Sequence, residues 1–492
     1  MKISKTKFMA GIQCLKRLYL LVHEPELATQ ANGAGEAIIE QGREVGLLAR
    51  QLFPGGVEVK GGSLNEALRI TKELLTNPEV PAIFEGAFEH DGVIVKTDIL
   101  QRRKESHWRL VEVKSTADLK DQHLEDVAIQ SHVLSGFGLK LASVWLAHIN
   151  REYVLTGSTV DPHQFFLFRN LTTRAKNLQP ELALRLRSQF RILAMPSPPD
   201  TPTGPHCINP VVCEFFHHCN QPLPDDNIGY LPRLHASAAE QLEEMGVESI
   251  HEIPADFELS EFQRRVCTAM QTGQPWFSAD FKTEFEALKY PLYFMDFETV
   301  NPAIPRFMGM HPYDHIPFQF SVHVQQEPGA APNHFEFLAM DNGDPRPAFI
   351  SSLCEALGER GSIVVYNEQF ESQRLWELGG WLPEYNQRIR DIQSRLWDLL
   401  PAVRNHVYHP AFGGSFSLKA VLPALVPEMT YEGMEVPNGQ AAGLAWEAII
   451  NGAVGEAERQ AKRQALLAYC GQDTLALVKL LDCLRNITPE IR

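Results

Sequence analysis

The sequence predicts an α/β protein of two or three domains, and three observations predict it. At 492 residues the chain is too long for one ordinary core, and 44% hydrophobic against 22% charged residues marks it as globular. Residues 91–130 pass from an apolar–polar alternation of period two to a helical period, the pattern of two strands followed by a helix. A proline-dense stretch at 195–225 then interrupts all periodicity, and a second strand-and-helix pattern opens at Tyr290. The expected divisions are 1–225, a helical connection at 226–285, and 286–492.

Residues 1–50 carry apolar positions at helical spacing, as in EAIIEQGREVGLLARQLF, until FPGG breaks the pattern at 53–56. A helix over about 64–75 and a strand over Ala82–Phe88 come next. Gly92–Leu100 and Trp108–Val113 alternate around the polar turn QRRKES, and a helix is expected from about Asp121 to Leu134. SVWLAHIN and REYVLTG read as a further hairpin, followed by a long helical stretch bearing Arg169, Arg174, Arg185, Arg187 and Arg191. Beyond the proline-rich segment, LPRLHASAAEQLEEMGVESIHEIP (231–254) reads as a helix–turn–helix pair around Gly246.

The first candidate site lies in this hairpin and helix. Asp98 sits late in one strand, while Glu112 and Lys114 share a face of the next because strand side chains repeat with period two. With Gln130 they give D…ExK…Q. Two acids on adjacent strands suit Mg²⁺ or Mn²⁺, hard ions that favour oxygen. Such an ion neutralises a phosphate and acidifies bound water, and Lys114 would position that water or stabilise the transition state. ExK alone is equally a solvated ion pair on a hairpin. Loss of Lys114 is expected to abolish cleavage at this site while leaving the fold intact.

The stretch resembles the RecB-like branch of the PD-(D/E)XK nucleases, which implies a restriction-endonuclease-like core. By that resemblance Glu85, in IFEGAF, stands where the family often carries an additional active-site acid. A metal-binding His in an early helix is also common there, but the corresponding QGREVG has none.

Eight cysteines occur, at 14, 207, 213, 219, 267, 354, 470 and 483. Cys207, Cys213 and Cys219 recur evenly in CINPVVCEFFHHC, with Cys14 far upstream; His206, His217 and His218 keep zinc open beside an iron–sulfur cluster. The other four sit singly in helical surroundings and read as core. One cysteine before a RecB-like core and three after it resemble the iron–sulfur nucleases related to the CRISPR-associated adaptation nuclease and to the AddB helicase-nuclease. That resemblance covers roughly residues 1–225 and implies a 4Fe-4S cluster stapling the ends of the domain.

The second candidate site begins in YPLYFMDFETV (290–300), where Asp296 and Glu298 share one face of an apolar strand. SIVVYNEQFESQRL is a buried strand running into a helix with Asn367 and Glu371. In LLAYCGQDTLALVKLL, Tyr469 and Asp473 are i, i+4 on one helix face. This order resembles the DnaQ-like, RNase H-fold 3′–5′ exonucleases of the DEDD type with tyrosine. The resemblance implies that Asp296, Glu298 and Asp473 hold two metal ions and that Tyr469 orients water. The family's middle Asp is Glu371 here, with Asp398 as an alternative ligand or helper. Gly413-Gly414-Ser415 before a helix either presents amides to a phosphate or is a capped tight turn, and Lys419 lies beside it.

The net charge of −16 argues against a nucleic-acid coat or a simple basic DNA-binding module, but not against a nuclease, which concentrates carboxylates at metal sites. No apolar run reaches membrane-span length, the N-terminus reads as amphipathic and not as a signal peptide, and a cytoplasmic setting follows by default. The 231–254 stretch resembles helix–hairpin–helix units that grip the DNA backbone, and reads equally as a spacer. The layout resembles bacterial proteins of uncharacterised function that join an iron–sulfur RecB-like nuclease domain to a DnaQ-like exonuclease domain. The expected function is metal-dependent hydrolysis of DNA, acting exonucleolytically on single-stranded ends, in repair or in defence against foreign DNA. The alternatives are a nucleic-acid-binding or partner-docking protein with degenerate sites, and an RNA-processing exonuclease. No helicase P-loop is present, so unwinding would come from a helicase or repair partner.

Overall fold

The computed structural model of the chain describes residues 1–29, 33–220, 224 and 226–487. It divides into two units: Met1–Gln221 with Asn301–Asp314, and Pro222–Val300 with His315–Arg492.

Unit one is built on a mixed seven-stranded sheet of β1 (Ile3–Ser4), β2 (Val57–Glu58), β3 (Ala82–His90), β4 (Val93–Arg102), β5 (His107–Lys114), β6 (Lys140–Ile149) and β7 (Phe166–Asn170). The order is β2-β3-β4-β5-β6-β7, with β1 parallel to β4. β3, β4 and β5 are antiparallel neighbours, β5 and β6 are parallel, and β6 and β7 antiparallel. β4 alternates through Val93, Val95 and Thr97, which bury while Ile94, Lys96 and Asp98 do not, and at its end Ile99 and Leu100 both bury, in different cores. Its hairpin with β3 closes in two residues, Asp91 and Gly92, both at positive φ (49° and 73°). That conformation matches the strand twist, which is why an Asp-Gly pair occupies it. Helix Asp121–Gly136 lays Val127, Ala128, Val133 and Leu134 on the sheet.

The expected hairpin of SVWLAHIN with REYVLTG does not form, since β6 pairs with Phe166–Asn170 instead. Tyr153 and Leu155 turn inward to pack with Phe165 and Ala303, and the Leu155 N–H donates to the Met310 carbonyl at 3.0 Å. Arg169 consequently lies in β7, and the arginine-bearing helix runs over Gln179–Leu193. The helical N-terminus is three helices, Lys5–Gln13, Leu15–His23 and Gly33–Arg50, with extended Cys14 between the first two.

Unit two holds a mixed five-stranded sheet of order β11-β10-β9-β12-β13 and a small pair β14-β8. Its strands are β8 (Trp276–Phe277), β9 (Leu292–Val300), β10 (Ile316–Gln325), β11 (Asn333–Leu338), β12 (Ile363–Val365), β13 (Leu396–Asp398) and β14 (Val407–Tyr408). β9 is central, antiparallel to β10 and parallel to β12. The helix Glu456–Asn486 crosses β9 and β10. Its register is fixed by polar contacts: Gln319 Nε2 donates to the Leu466 carbonyl (2.7 Å), and Ser321 and His323 bond the Thr474 hydroxyl (2.6 and 2.8 Å).

Residues 226–285, expected as a connection, contribute Ile228, Leu231, Leu242, Ile250 and Val266 to this unit's core. After helix Ala236–Glu244 and the left-handed Gly246 (φ 77°), the partner helix expected at the turn is absent. Ser249 instead bridges to Asn227, bonds Asp226 (2.5 Å) and caps a single 3-10 turn, Ile250–Glu252, and the next α-helix begins at Glu261.

Candidate metal centres

On β9, Asp296 and Glu298 point to one side because they are two residues apart, and helix Glu456–Asn486 brings Asp473 over them. One carboxylate oxygen from each lies within 4.8 Å of the others. Among the described residues no lysine or arginine forms an ion pair with any of the three. Burial and the neighbouring acids therefore outweigh the Phe297 backbone N–H at Asp296 and the more distant charge of Lys419 at Glu298. They push the Asp296 carboxyl well above the usual range and Glu298 up to about 8. Burial also raises Asp473, to about 6, against hydrogen bonds from Tyr431 and Tyr469 and the nearby positive charge of Lys419. The Tyr431 hydroxyl donates to Asp473 Oδ1 at 2.6 Å, and Lys419 Nζ stands 5.2 and 5.3 Å from the Tyr431 and Tyr469 ring centres. Gly439 leaves the room that Glu298 occupies, since a Cβ there would stand 2.8 Å from Glu298 Oε2.

Glu371 is buried next to this group without joining it at 4.8 Å. Its Oε2 has no hydrogen-bond partner, burial lifts its carboxyl to about 8, and its charge helps raise Asp296. Asp398 is occupied elsewhere: it accepts from the backbone N–H groups of Asn367 (2.9 Å), Glu368 (3.1 Å) and Leu400 (3.0 Å), capping a helix. Tyr431 was not signalled by the sequence, because it lies in an irregular segment with no period to mark it.

In unit one the structure gathers Asp98, Glu112, Lys114 and Gln130, together with two residues the sequence reading missed, Lys5 and Asp126. Glu112 Oε1 pairs with Lys5 Nζ (2.9 Å) and Lys114 Nζ (2.7 Å), and Asp126 pairs with the same lysines (3.0 and 2.5 Å). Gln130 Nε2 donates to Glu112 Oε2 (2.7 Å) and Asp126 Oδ1 (2.9 Å). Burial alone would raise the Glu112 carboxyl, yet Lys114 and Lys5 hold it well below the ordinary range. Asp98 accepts the Val113 N–H at 2.7 Å and is pushed up to about 7 by burial and by Glu112. Glu85 stands between the Phe84–Ile99 and Gly86–Thr97 pairs, opposite Asp98, in a left-handed conformation (φ 55°). Its carboxylate is taken by Arg50 Nη2 (2.9 Å). The three acids expected to hold an ion here do not gather within 4.8 Å as a set.

Cys14, Cys207, Cys213 and Cys219 line one cavity with Lys16 and Arg17. No three of these thiols lie within 4.8 Å of one another, and burial raises the Cys213 and Cys219 thiols. The chain's two ends of this unit also meet directly: Gln13 Nε2 donates to the His206 and Val211 carbonyls (2.6 and 2.7 Å), and Arg17 Nε to Glu214 Oε2 (2.8 Å).

Fold and sites thus define an α/β protein of two mixed sheets, with a largely buried carboxylate cluster at the centre of one and an ion-pair network on the other. Among known sequences, the family model described as "Domain of unknown function (DUF2779)" matches residues 293–417, which takes in Asp296, Glu298 and Glu371 but not Asp473. The chain is also similar to the "Uncharacterized protein MG366 homolog" of Mycoplasma pneumoniae, 24% identical over 219 residues, which are 41% of this chain and 33% of that protein. It is 21% identical over 228 residues to "Uncharacterized protein UU173" of Ureaplasma parvum, 42% of this chain and 33% of that protein. The chain spans about a third of the length of these curated relatives. Among the described residues no helix is long and apolar enough to cross a membrane.

Proposed function

We propose that this protein is a divalent-metal-dependent nuclease whose second unit carries the chemistry. The observation that carries this reading is the set of Asp296, Glu298 and Asp473, one half-buried and two buried carboxylates within 4.8 Å with no paired cation. Like charges this close destabilise one another unless a cation joins them, and oxygen-only donors select Mg²⁺ or Mn²⁺. These three residues would hold the ion or ions, which supply charge neutralisation at a phosphate and a more acidic water. Glu371, with its free buried oxygen, is the candidate for a fourth ligand. Tyr431 and Tyr469 hold the Asp473 carboxylate from two sides, and Lys419 sets a positive charge above them.

The central acid-bearing strand, the late helix with its Tyr and Asp, and the acid after β12 support the resemblance to DnaQ-like exonucleases of RNase H fold. A groove lined by Arg233, Phe262, Tyr366, Asn367, Arg404 and Phe416 offers cations and aromatic faces of the kind that take single-stranded nucleic acid. DNA with single-stranded ends is the proposed substrate, in repair or defence, and RNA is the competing one.

For unit one the ion pairs on Glu112 favour a second reading, in which a RecB-like nuclease core binds nucleic acid without cutting it. The four cysteines support a 4Fe-4S cluster. Ligands of one tetrahedral zinc stand about 3.8 Å apart at Zn–S distances of about 2.3 Å, closer than these thiols lie as a set, so a larger cluster fits them better.

The test is cleavage of end-labelled single- and double-stranded DNA and RNA with Mn²⁺, using anaerobically purified wild type, Asp296→Asn and Lys114→Ala. Cleavage by wild type and its loss in Asp296→Asn are expected. Undiminished cutting by Asp296→Asn would remove the second unit from the chemistry, and binding without cutting in every sample would leave a binding protein.

A further inference from the structure

A second group of ligating side chains lies outside both of these sites, at the tip of the β3–β4 hairpin. His90 ends β3, Asp91 is the first turn residue, and His132 comes from the helix Asp121–Gly136. One ligand atom of each lies within 4.8 Å of the others. Asp91 Oδ2 stands 3.0 Å from His132 Nε2 and 3.4 Å from His90 Nε2. At metal–ligand distances of about 2.0–2.1 Å, neighbouring ligands of a tetrahedral ion are separated by about 3.3 Å, which both Asp91–His separations match.

The local backbone is shaped around these groups. Asp91 takes the left-handed conformation that the two-residue turn demands (φ 49°). Gly136 vacates the space that the His90 ring fills: a Cβ there would fall 1.9 Å from His90 Cδ2 and 2.1 Å from Nε2. The side chains of His90, Asp91 and His132 remain 34, 56 and 20% exposed, which leaves an entry path and a fourth position open to solvent.

We propose that His90, Asp91 and His132 bind a single borderline divalent transition-metal ion, Zn²⁺ in the first place. Two imidazoles and one carboxylate suit zinc, copper, nickel or iron(II) better than the magnesium that all-oxygen sites prefer. The ion would clip the hairpin tip to the helix that delivers Asp126 and Gln130. Nothing in this assignment depends on nuclease activity.

The experiment is equilibrium dialysis of the full chain against Zn²⁺ with metal counted by mass spectrometry, for wild type, His132→Gln and His90→Gln. Wild type should retain one more zinc per chain than either variant, and circular dichroism should show all three equally folded. Co²⁺ substitution separates this site from the cysteines, because thiolate ligands give an intense charge-transfer band and imidazole and carboxylate do not. Cobalt at the hairpin should therefore add no such band, and Cys213→Ser should keep the extra ion. Equal zinc counts in wild type and both variants would overturn the proposal, as would loss of the extra ion in Cys213→Ser with the hairpin histidines intact.

Discussion

A single carboxylate on β9 is ordinary, but Asp296 beside Glu298 and under Asp473 is held at a cost that pH should reveal. Glu298 is pushed up to about 8 and Asp473 to about 6, chiefly by burial, from ordinary values of 4.5 and 3.8. The folded chain therefore keeps protons that the unfolded chain has released. Ion-free stability should be full below about pH 4 and fall as pH rises toward 8. Each tenfold change in proton affinity corresponds to about 1.4 kcal/mol, so the fall should reach a few kcal/mol. Urea melts at pH 5 and pH 8 in chelator should show it, and Mn²⁺ should restore stability at pH 8; identical melts would mean the acids are not protonated together. Tyr431→Phe removes a donor that stabilises the charged Asp473, so metal-dependent cleavage should drop about ten- to a hundredfold, for a hydrogen bond to a charged group worth roughly 1.5–3 kcal/mol, and its pH profile should move alkaline. Cleavage rates against pH check both. The two acids of β9 and the Tyr469–Asp473 pair were legible in the sequence because each obeys a fixed spacing. Tyr431 was not, because a contact across an irregular segment leaves no period behind.

Between elements, the helix Asp121–Gly136 and β5 meet through charges where two acids and an ExK pattern alone would have suggested an open metal site. Asp126 lies four residues before Gln130, so the helical spacing could have placed it on the face from which Gln130 meets Glu112. Lys5 arrives from the N-terminal helix, and no local pattern announces a partner so distant in the chain. Removing Lys114 now has a different expected outcome from the one the sequence alone suggested. Glu112 and Asp126 would be left sharing Lys5 in a buried setting, and breaking such pairs costs about 3–5 kcal/mol. Lys114→Ala should lower the stability of unit one in thermal melts, whereas Lys114→Arg should recover part of it; a variant as stable as wild type would show that Lys5 alone balances both acids. The β6 pairing teaches the same lesson in sheets. REYVLTG has strand-like residues, yet burial of Tyr153 and Leu155 against Phe165 won over extension.

At the scale of the molecule, the two α/β patterns were legible because composition changes sharply between them, but their limits in the chain were not. Residues 301–314 lie between two strands of the second sheet and still belong to unit one. Gly309 donates to the Leu155 carbonyl at 2.8 Å, Leu155 donates to Met310, and the Tyr313 hydroxyl reaches the Ser115 carbonyl. Ala303 joins the core formed by Val45, Ile99, Ala147 and Phe165. No sequence signal marks a loop as belonging to a sheet it does not adjoin in the chain. A fragment ending at residue 221 would therefore lack part of its own core and leave the Leu155 backbone without these partners, an unmade buried hydrogen bond costing about 1–3 kcal/mol. Hydrogen exchange should show the Leu155 amide protected in the whole chain and exposed in the fragment, and adding a synthetic peptide of residues 301–314 should restore protection. Equal protection in fragment and whole chain would mean that residues 1–221 fold to completion without the segment, and the boundary expected from composition would then be the physical one.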